Sequence, residues 1–159
     1  MKKAVVYSSV TGNTRKLSEA ICDKVGAQYC GKPCDEALEA ETIFIGFWTT
    51  KNSCGEDIKG FIEKLSDKQV FIFGTAGYNN TKEYFDEILN SVKAVVPDSN
   101  TIVGAYMCQG KVSDTMKAKI KDMKPEMYEA IKEKLAVGES HPDENDISEL
   151  LAKIESKNI

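Results

Sequence analysis

The loop that follows the first apolar run carries residue types suited to binding an anion. Its sequence, Ser8-Ser9-Val10-Thr11-Gly12-Asn13-Thr14, places four hydroxyl groups and one glycine ahead of an amphipathic stretch. That stretch predicts a helix beginning near Asn13, and the first N–H groups of a helix attract anions. We therefore expect a phosphate to be bound by the amide of Gly12, by neighbouring amides and by the hydroxyl groups of the loop.

The pattern of this loop differs from two common phosphate-binding motifs. Neither GxxxxGK[ST], the nucleoside triphosphate loop, nor GxGxxG, the dinucleotide turn, occurs in the sequence. A phosphate monoester bound without a metal remains, with Ser9, Thr11 and Thr14 as hydroxyl donors. The alternative is that these residues only cap a helix, a role that serine, threonine and asparagine fill well.

The bulk composition is that of a globular chain with an acidic balance. Its 159 residues are 42% hydrophobic and 29% charged, with a net charge of -4. The length predicts one domain, residues 1–159, and the acidic balance disfavours nucleic-acid binding, which needs a basic surface. No apolar run reaches the roughly 18 residues of a membrane span, so we expect a cytoplasmic protein. Five lysines from Lys111 to Lys124 indicate either a local basic patch or the solvated face of a helix.

The five cysteines are expected to be reduced thiols. Their number is odd, and the chain is large enough to fold around its own core without a disulfide scaffold. Cys30 and Cys34 lack the second pair of ligands that a zinc site needs, and we predict no metal site. His141, the only histidine, is expected to be a turn residue rather than a base.

Five short apolar runs predict the strands of a parallel sheet. They span residues 4–7, 27–30, 42–48, 70–74 and 101–106. Four of them lack polar alternation, as is typical of strands buried on both faces, whereas the second run is more polar and suits an edge. Helical spacing of apolar residues separates most of the runs, and a helical region over 113–135 is interrupted before Pro125. This alternation predicts a doubly wound α/β fold.

The predicted fold gives the hydroxyl-rich loop a special position. In an open parallel sheet, ligands lie at the carboxyl ends of the strands, where the strand order reverses. The first strand lies at that switch point, so residues 8–14 occupy the favoured ligand position. The location favours anion binding over helix capping alone.

The loop resembles the phosphate loop of one family. Ser9-Val10-Thr11-Gly12-Asn13-Thr14 is similar to the flavodoxin pattern [TS]-x-[TS]-G-x-[TS], and the order of elements extends the resemblance over essentially the whole chain. The resemblance implies a three-layer fold, a five-stranded parallel sheet in the order 2-1-3-4-5, and FMN as cofactor. It also implies redox partner proteins, a reductase or an acceptor enzyme; some chains of this family accompany a bilirubin-reducing enzyme.

Two aromatic residues resemble those that hold the isoalloxazine ring in flavodoxins. Trp48, the only tryptophan, follows the third apolar run, and Tyr78 follows the fourth. Two aromatic side chains at one sheet edge can sandwich a planar ring by offset stacking, although each could instead close the core as a partly buried aromatic. The cofactor-binding residues implied by the loop and the resemblance are Ser8, Ser9, Val10, Thr11, Gly12, Asn13, Thr14, Trp48, Thr49, Thr50, Thr75, Ala76, Gly77 and Tyr78.

The two loops assigned to the ring depart from the usual flavodoxin. Thr49, Thr50 and Lys51 stand where glycine and acids normally follow the first aromatic, and Thr75-Ala76-Gly77 lacks the common acid of the second loop. The fifth strand has no long insertion. The chain therefore resembles the short-chain type, with extra helical sequence over 111–139.

Two functions fit these residues. The first is an FMN electron carrier, which needs no catalytic residue of its own, and the sequence offers no convincing one. The alternative, which the departures in the flavin loops favour, is an FMN-dependent oxidoreductase acting on a quinone, porphyrin or tetrapyrrole. A signalling receiver domain would need an acidic pair and an aspartate where this chain has Ser8-Ser9 and Trp48, so the sequence excludes it.

Overall fold

A five-stranded parallel sheet forms the centre of the molecule. The computed structural model describes residues 1–159 and contains β1 (Lys3–Tyr7), β2 (Tyr29–Gly31), β3 (Thr42–Trp48), β4 (Gln69–Ala76) and β5 (Thr101–Gln109). The strands are parallel and lie in the order β2-β1-β3-β4-β5. Both the fold class and the strand order predicted from the sequence are confirmed.

Six helices and one 3-10 turn connect the strands. The helices are α1 (Asn13–Val25), α2 (Glu56–Ile62), α3 (Lys82–Lys93), α4 (Asp114–Met123), α5 (Pro125–Gly138) and α6 (Glu144–Ser156), and the 3-10 helix is Asp35–Glu39. Pro125 opens α5 at its first position, where its missing N–H costs no helical hydrogen bond. None of these helices has the length and apolar character required to traverse a membrane.

The core has two apolar layers, one on each face of the sheet. Alternate side chains of a strand point to opposite faces, so Ile43 and Ile45 join one cluster with apolar residues of α2 and α3. Phe44 joins the other cluster, with Leu17 of α1 and Leu150 of α6. This arrangement fixes the start of α1 directly above the carboxyl ends of the central strands.

The extra helical sequence forms a hairpin of α4 and α5 (residues 114–138, called here the α4–α5 hairpin). Lys111 and Lys117 both pair with Glu139, at the end of the hairpin. Lys119, Lys121 and Lys124 are exposed.

One sequence-based expectation about the cysteines is wrong. Cys22, near the end of α1, forms a disulfide with Cys30 of β2, and their Cα atoms are 6.4 Å apart. The chain turns back directly after α1 to form the edge strand, which brings these two residues together. Cys34, Cys54 and Cys108 remain free thiols.

Candidate functional site

The three loops predicted to form the site begin at the same edge of the sheet. In the strand register, Tyr7 of β1 lies beside Gly46 of β3, and Trp48 of β3 lies beside Thr75 of β4. Parallel strands end on the same side, so the chain leaves β1, β3 and β4 at neighbouring points. The predicted phosphate loop and the two predicted flavin loops are therefore adjacent.

The hydroxyl-rich loop turns sharply at Gly12. Gly12 is the N-cap of α1 with φ +92°, a backbone conformation that favours glycine, and its side chain offers no capping group. The hydroxyl oxygen of Ser9 accepts hydrogen bonds from the backbone N–H groups of Gly12 at 3.1 Å and of Arg15 at 3.3 Å. Ser9 thus holds the loop curled over the first turn of the helix.

Several donors of this loop have no acceptor within the protein. The backbone N–H groups of Thr11, Asn13 and Thr14 make no internal hydrogen bond. Unused N–H groups gathered at a helix start, where the helix dipole is positive, form a site for a negatively charged oxygen. The exposed hydroxyl of Thr11 adds a further donor at the same place.

The two cations that follow the loop are engaged elsewhere. The Arg15 guanidinium donates to Glu19 at 2.8 Å, and the Lys16 ammonium donates to the carbonyl oxygen of Pro142 at 2.7 Å. Lys32, after β2, is exposed and lines a cavity of about 630 Å³ together with Ser8 and Ser9. Sequence reasoning missed Lys32 because only the pairing of β1 with β2 brings it near the loop.

Thr14 plays a different part from the one predicted for its side chain. The residue is fully buried, and its hydroxyl donates to the carbonyl oxygen of Phe47 at 3.1 Å and lies 3.3 Å from the hydroxyl of Thr75. In this arrangement the Thr14 hydroxyl ties α1 to β3 and β4, and its backbone amide is the donor left available. Helical geometry causes this, because the second residue of α1 faces the sheet.

Val10 and Asn13 mark two sides of the loop. Val10, at the tip, is 73% exposed, which is unusual for an apolar side chain. The Asn13 amide donates to the carbonyl oxygen of Lys111 at 2.9 Å, and a cavity of about 250 Å³ lies between Thr11, Asn13 and Ser113. The loop is therefore braced against the segment that follows β5.

The first flavin loop is a tight turn anchored on β4. Both the backbone N–H and the hydroxyl of Thr49 donate to the carbonyl oxygen of Thr75, at 2.9 and 2.8 Å. Thr50 and Ser53 exchange backbone hydrogen bonds around two residues with positive φ, Lys51 and Asn52. Trp48, just before this turn, is half-buried.

The residues predicted for the second loop begin within a strand. Thr75 and Ala76 are buried and form the last two positions of β4, two residues beyond the predicted end. Gly77 continues the chain where a side chain has no room, because a Cβ there would overlap Val112. Tyr78 follows and is half-buried, at the same sheet edge as Trp48.

Neither free thiol near the site is activated. Burial raises the pKa of the Cys54 thiol above its usual value, and burial together with the nearby carboxylate of Asp146 does the same for Cys108. Because the thiolate is the reactive form of cysteine, both are inert thiols near neutral pH.

His141 lies in the turn before α6, as expected. Its Nδ1 atom is 2.6 Å from a carboxylate oxygen of Asp146 and 3.8 Å from one of Asp143. These three residues are close enough to share a metal ion, but both carboxylates already accept backbone N–H groups at the helix start. They serve as a helix cap in this structure.

Gln109, which the sequence reasoning missed, is buried at the end of β5. Its side-chain amide donates to the carbonyl oxygens of Gly77 and Lys134, at 3.2 and 2.7 Å. The signal that could have identified it was a polar side chain close after the fifth apolar run, at the sheet edge where the other strands carry the predicted site.

The sequence matches known proteins over almost all of its length. A family model described as a flavodoxin domain matches residues 4–155. The chain is 33% identical to the flavodoxin-like domain-containing protein BilS of Clostridioides difficile (strain CD3), with 100% of this chain and 96% of the relative covered. It is 30% identical to the protein of the same name from Clostridium symbiosum (strain WAL-14163), with 93% and 91% covered.

Solved structures with lower sequence identity share the fold. Oxidised Flavodoxin 2 from Bacillus cereus has a TM-score of 0.59 at 15% identity, with 99% of each chain covered. A flavoprotein from Lactobacillus acidophilus NCFM, solved in complex with FMN, has a TM-score of 0.51 at 14% identity, covering 67% of this chain and 93% of that one. The family model and the two BilS relatives show that the chain belongs to the flavodoxin family.

Proposed function

We propose that this protein binds FMN at the carboxyl edge of its sheet and carries electrons between redox partner proteins, a reductase and an acceptor enzyme. The observation that carries the proposal is the group of three unused N–H groups, on Thr11, Asn13 and Thr14, at the start of α1. These donors suit the phosphate of FMN, which needs several hydrogen bonds and no bound metal. The proposed compartment is the cytoplasm.

The ring of FMN would lie across the two neighbouring loops. Trp48 ends β3 and Tyr78 follows the end of the neighbouring β4 by two residues, and both are half-buried aromatic residues that could stack on a planar ring. Thr49, Thr50, Thr75, Ala76 and Gly77 supply the backbone around them. FMN supplies the redox chemistry when it is bound, and the protein sets its orientation and access.

The relatives support this proposal at the level of the cofactor. The Lactobacillus acidophilus flavoprotein of the same fold is described in complex with FMN, and oxidised Flavodoxin 2 shares the fold over nearly all of both chains. The BilS relatives are named flavodoxin-like and their names specify no substrate. The identity of the donor and acceptor proteins is part of the proposal.

The visible spectrum of the purified protein after addition of FMN tests the cofactor. Free FMN also absorbs visible light, so unbound flavin is first removed by gel filtration, and we expect the protein fraction to remain yellow. We also expect Trp48 fluorescence to be almost fully quenched, which is simple to measure with a single tryptophan. Replacing Trp48 with alanine should cost about 1 kcal/mol of FMN affinity, and bright emission from the saturated protein would place Trp48 away from the ring.

Turnover by the isolated protein tests the carrier role. A carrier is reduced by a partner protein or a chemical reductant and shows no steady consumption of NADPH with a quinone or a tetrapyrrole. Steady turnover by the purified protein would instead support the FMN-dependent oxidoreductase that the altered flavin loops suggested. A colourless protein that fails to bind added FMN would remove both functions.

A further inference from the structure

The segment after β4 is held by a set of hydrogen bonds from outside the site. The Gln109 side chain donates to the carbonyl oxygen of Gly77 at 3.2 Å and to that of Lys134, in α5, at 2.7 Å. The Lys134 ammonium in turn donates to the side-chain oxygen of Asn80 at 2.8 Å. Lys134 is thus linked to both ends of residues 77–80. Its backbone carbonyl and that of Gly77 both accept from the Gln109 side chain, and its ammonium bonds directly to Asn80.

The packing around Gln109 leaves its side chain almost no contact with solvent. Gln109 is only 3% exposed, although burying an amide side chain is costly without hydrogen bonds. A Cβ on Gly138 would lie 2.9 Å from the Gln109 nitrogen, so glycine at that position lets α5 approach. Glycine at position 138 therefore lets α5 lie against the Gln109 side chain, and glycine at position 77 makes room for the neighbouring Val112.

The Gln109 side chain also carries one unsatisfied polar atom. Its oxygen Oε1 is buried and has no hydrogen-bond partner, which costs free energy. An apolar side chain of the same length would avoid that cost while filling the same space. The two donated hydrogen bonds are what such a side chain could not replace.

From these contacts we infer that Gln109 is a positioning residue for the second flavin loop, and that α5 belongs to the cofactor site through it. The inference rests on the proposed FMN function. Gln109 and Lys134 clamp residues 77–80 so that Tyr78 is held in one orientation, ready to stack on a planar ring. The α4–α5 hairpin is then a support for the flavin site rather than an appendage of the fold.

Three variants distinguish the loss of these hydrogen bonds from a general loss of stability. Gln109→Met keeps the side-chain volume and removes the two donated bonds. Lys134→Met removes only the side-chain bond to Asn80 and leaves the backbone carbonyl of residue 134 to accept from Gln109. Lys119→Met is the matched control, since Lys119 is an exposed lysine of the same hairpin with no ion pair.

Hydrogen exchange in the protein without cofactor gives the first readout. The amides of residues 77–79 make no internal hydrogen bond, so the reporter is the buried amide of Gly110, which donates to the carbonyl oxygen of Ala76 at 3.0 Å just before this segment. We expect its exchange to quicken about 10-fold in Gln109→Met and about 3-fold in Lys134→Met, with no change in Lys119→Met. Unchanged exchange of the Gly110 amide in Gln109→Met, or an equal increase in all helices, would overturn the inference.

The bound cofactor gives the second readout. Gln109→Met should weaken FMN and riboflavin by the same factor, about 3- to 10-fold, because the loop contacts the ring and not the phosphate. It should also shift the midpoint potential of bound FMN, which a purely structural residue would leave unchanged. An unaltered potential and unaltered affinities would contradict the inference. If the unmodified protein binds no FMN, the proposed function fails, while the exchange comparison still decides whether the clamp exists.

Discussion

Helices α1 and α6 lie side by side against one face of the sheet but begin in opposite ways. At the start of α6, Asp143 and Asp146 form a capping box in which each carboxylate accepts the backbone N–H of the other residue. At the start of α1 the N-cap is Gly12, the neutral hydroxyl of Ser9 accepts the N–H groups of Gly12 and Arg15, and the first turn holds no acidic residue. The start of α6 thus carries negatively charged groups of its own, whereas the start of α1, called here the open start, carries none.

The difference shows two ways of treating the unpaired N–H groups of a helix start. Every helix begins with N–H groups that lack helical partners, and a side-chain cap satisfies one or two of them with a gain in stability. A start without acidic side chains leaves the positive end of the helix dipole available to an anion. The open start of α1 lies at the switch point of the sheet, where ligands bind in folds of this class, and the capped start of α6 does not.

The largest expected effect comes from removing a hydroxyl at the open start. Thr11→Ala should lower FMN affinity by about 1.5 to 3 kcal/mol, the usual value of a hydrogen bond to a charged group. Riboflavin has no phosphate and should bind with unchanged affinity. Titration of both ligands by flavin fluorescence measures the two losses, and equal losses would show that Thr11 does not contact a phosphate.

A smaller effect is expected when the turn at Gly12 is strained. Gly12→Ala places a side chain at φ +92°, at a cost of about 1 to 2 kcal/mol, although the added Cβ meets no atom within 4 Å. Both stability in denaturant and FMN affinity should fall. The matched control is Gly26→Ala, at φ +63° beyond the other end of α1. It should lower stability alone, and a loss of FMN affinity there would show that strain acts through the whole helix.

Removing the cap of α6 is the opposite test, because it should change stability and leave FMN binding unchanged. Asp143→Ala deletes the acceptor for the Asp146 N–H and should lower the denaturation midpoint. FMN affinity should stay the same, because this helix start is not a ligand site. Reduced FMN affinity at full folding would mean that the two helix starts act as one unit.

The smallest expected effect is on stability at acidic pH. The pKa of Asp143 lies below its usual value of 3.8, first because the backbone N–H of Asp146 donates to its carboxylate. A carboxyl group with a lowered pKa stabilises the fold while it is ionised, so its contribution is present above pH 3.8 and lost as the pH falls below it. Asp143→Asn keeps a capping oxygen and should flatten the fall in stability measured by denaturant titrations at successively lower pH. An unchanged slope would remove this role.

The alternation of strands and helices could be predicted from the sequence because it follows from local patterns, whereas the strand order was implied by the resemblance to flavodoxins. Apolar runs without alternation identified the parallel sheet, although β2 lies at Tyr29–Gly31 rather than over 27–30, since pairing with β1 decides its register. Thr75 and Ala76 were expected in a loop and lie in β4, for the same reason.

The features that could not be predicted depend on contacts between distant residues. The Cys22–Cys30 disulfide requires the end of α1 to meet the edge strand. A motif of alternating hydroxyl residues does not reveal that the Thr14 hydroxyl faces the carbonyl oxygen of Phe47. The clamp of Gln109 on Gly77 joins segments 32 residues apart. Each of these depends on tertiary packing, which composition and spacing do not encode separately.

The affinity ratio of FMN to riboflavin tests the central claim most directly, because the two ligands differ only in the phosphate. Both are titrated into the protein without cofactor, in buffer free of phosphate. An open start of α1 predicts that FMN binds at least about 10-fold more tightly, and that added inorganic phosphate weakens FMN while leaving riboflavin unaffected. Equal affinities for the two ligands, with no effect of phosphate, would contradict the claim that this helix start is an anion site.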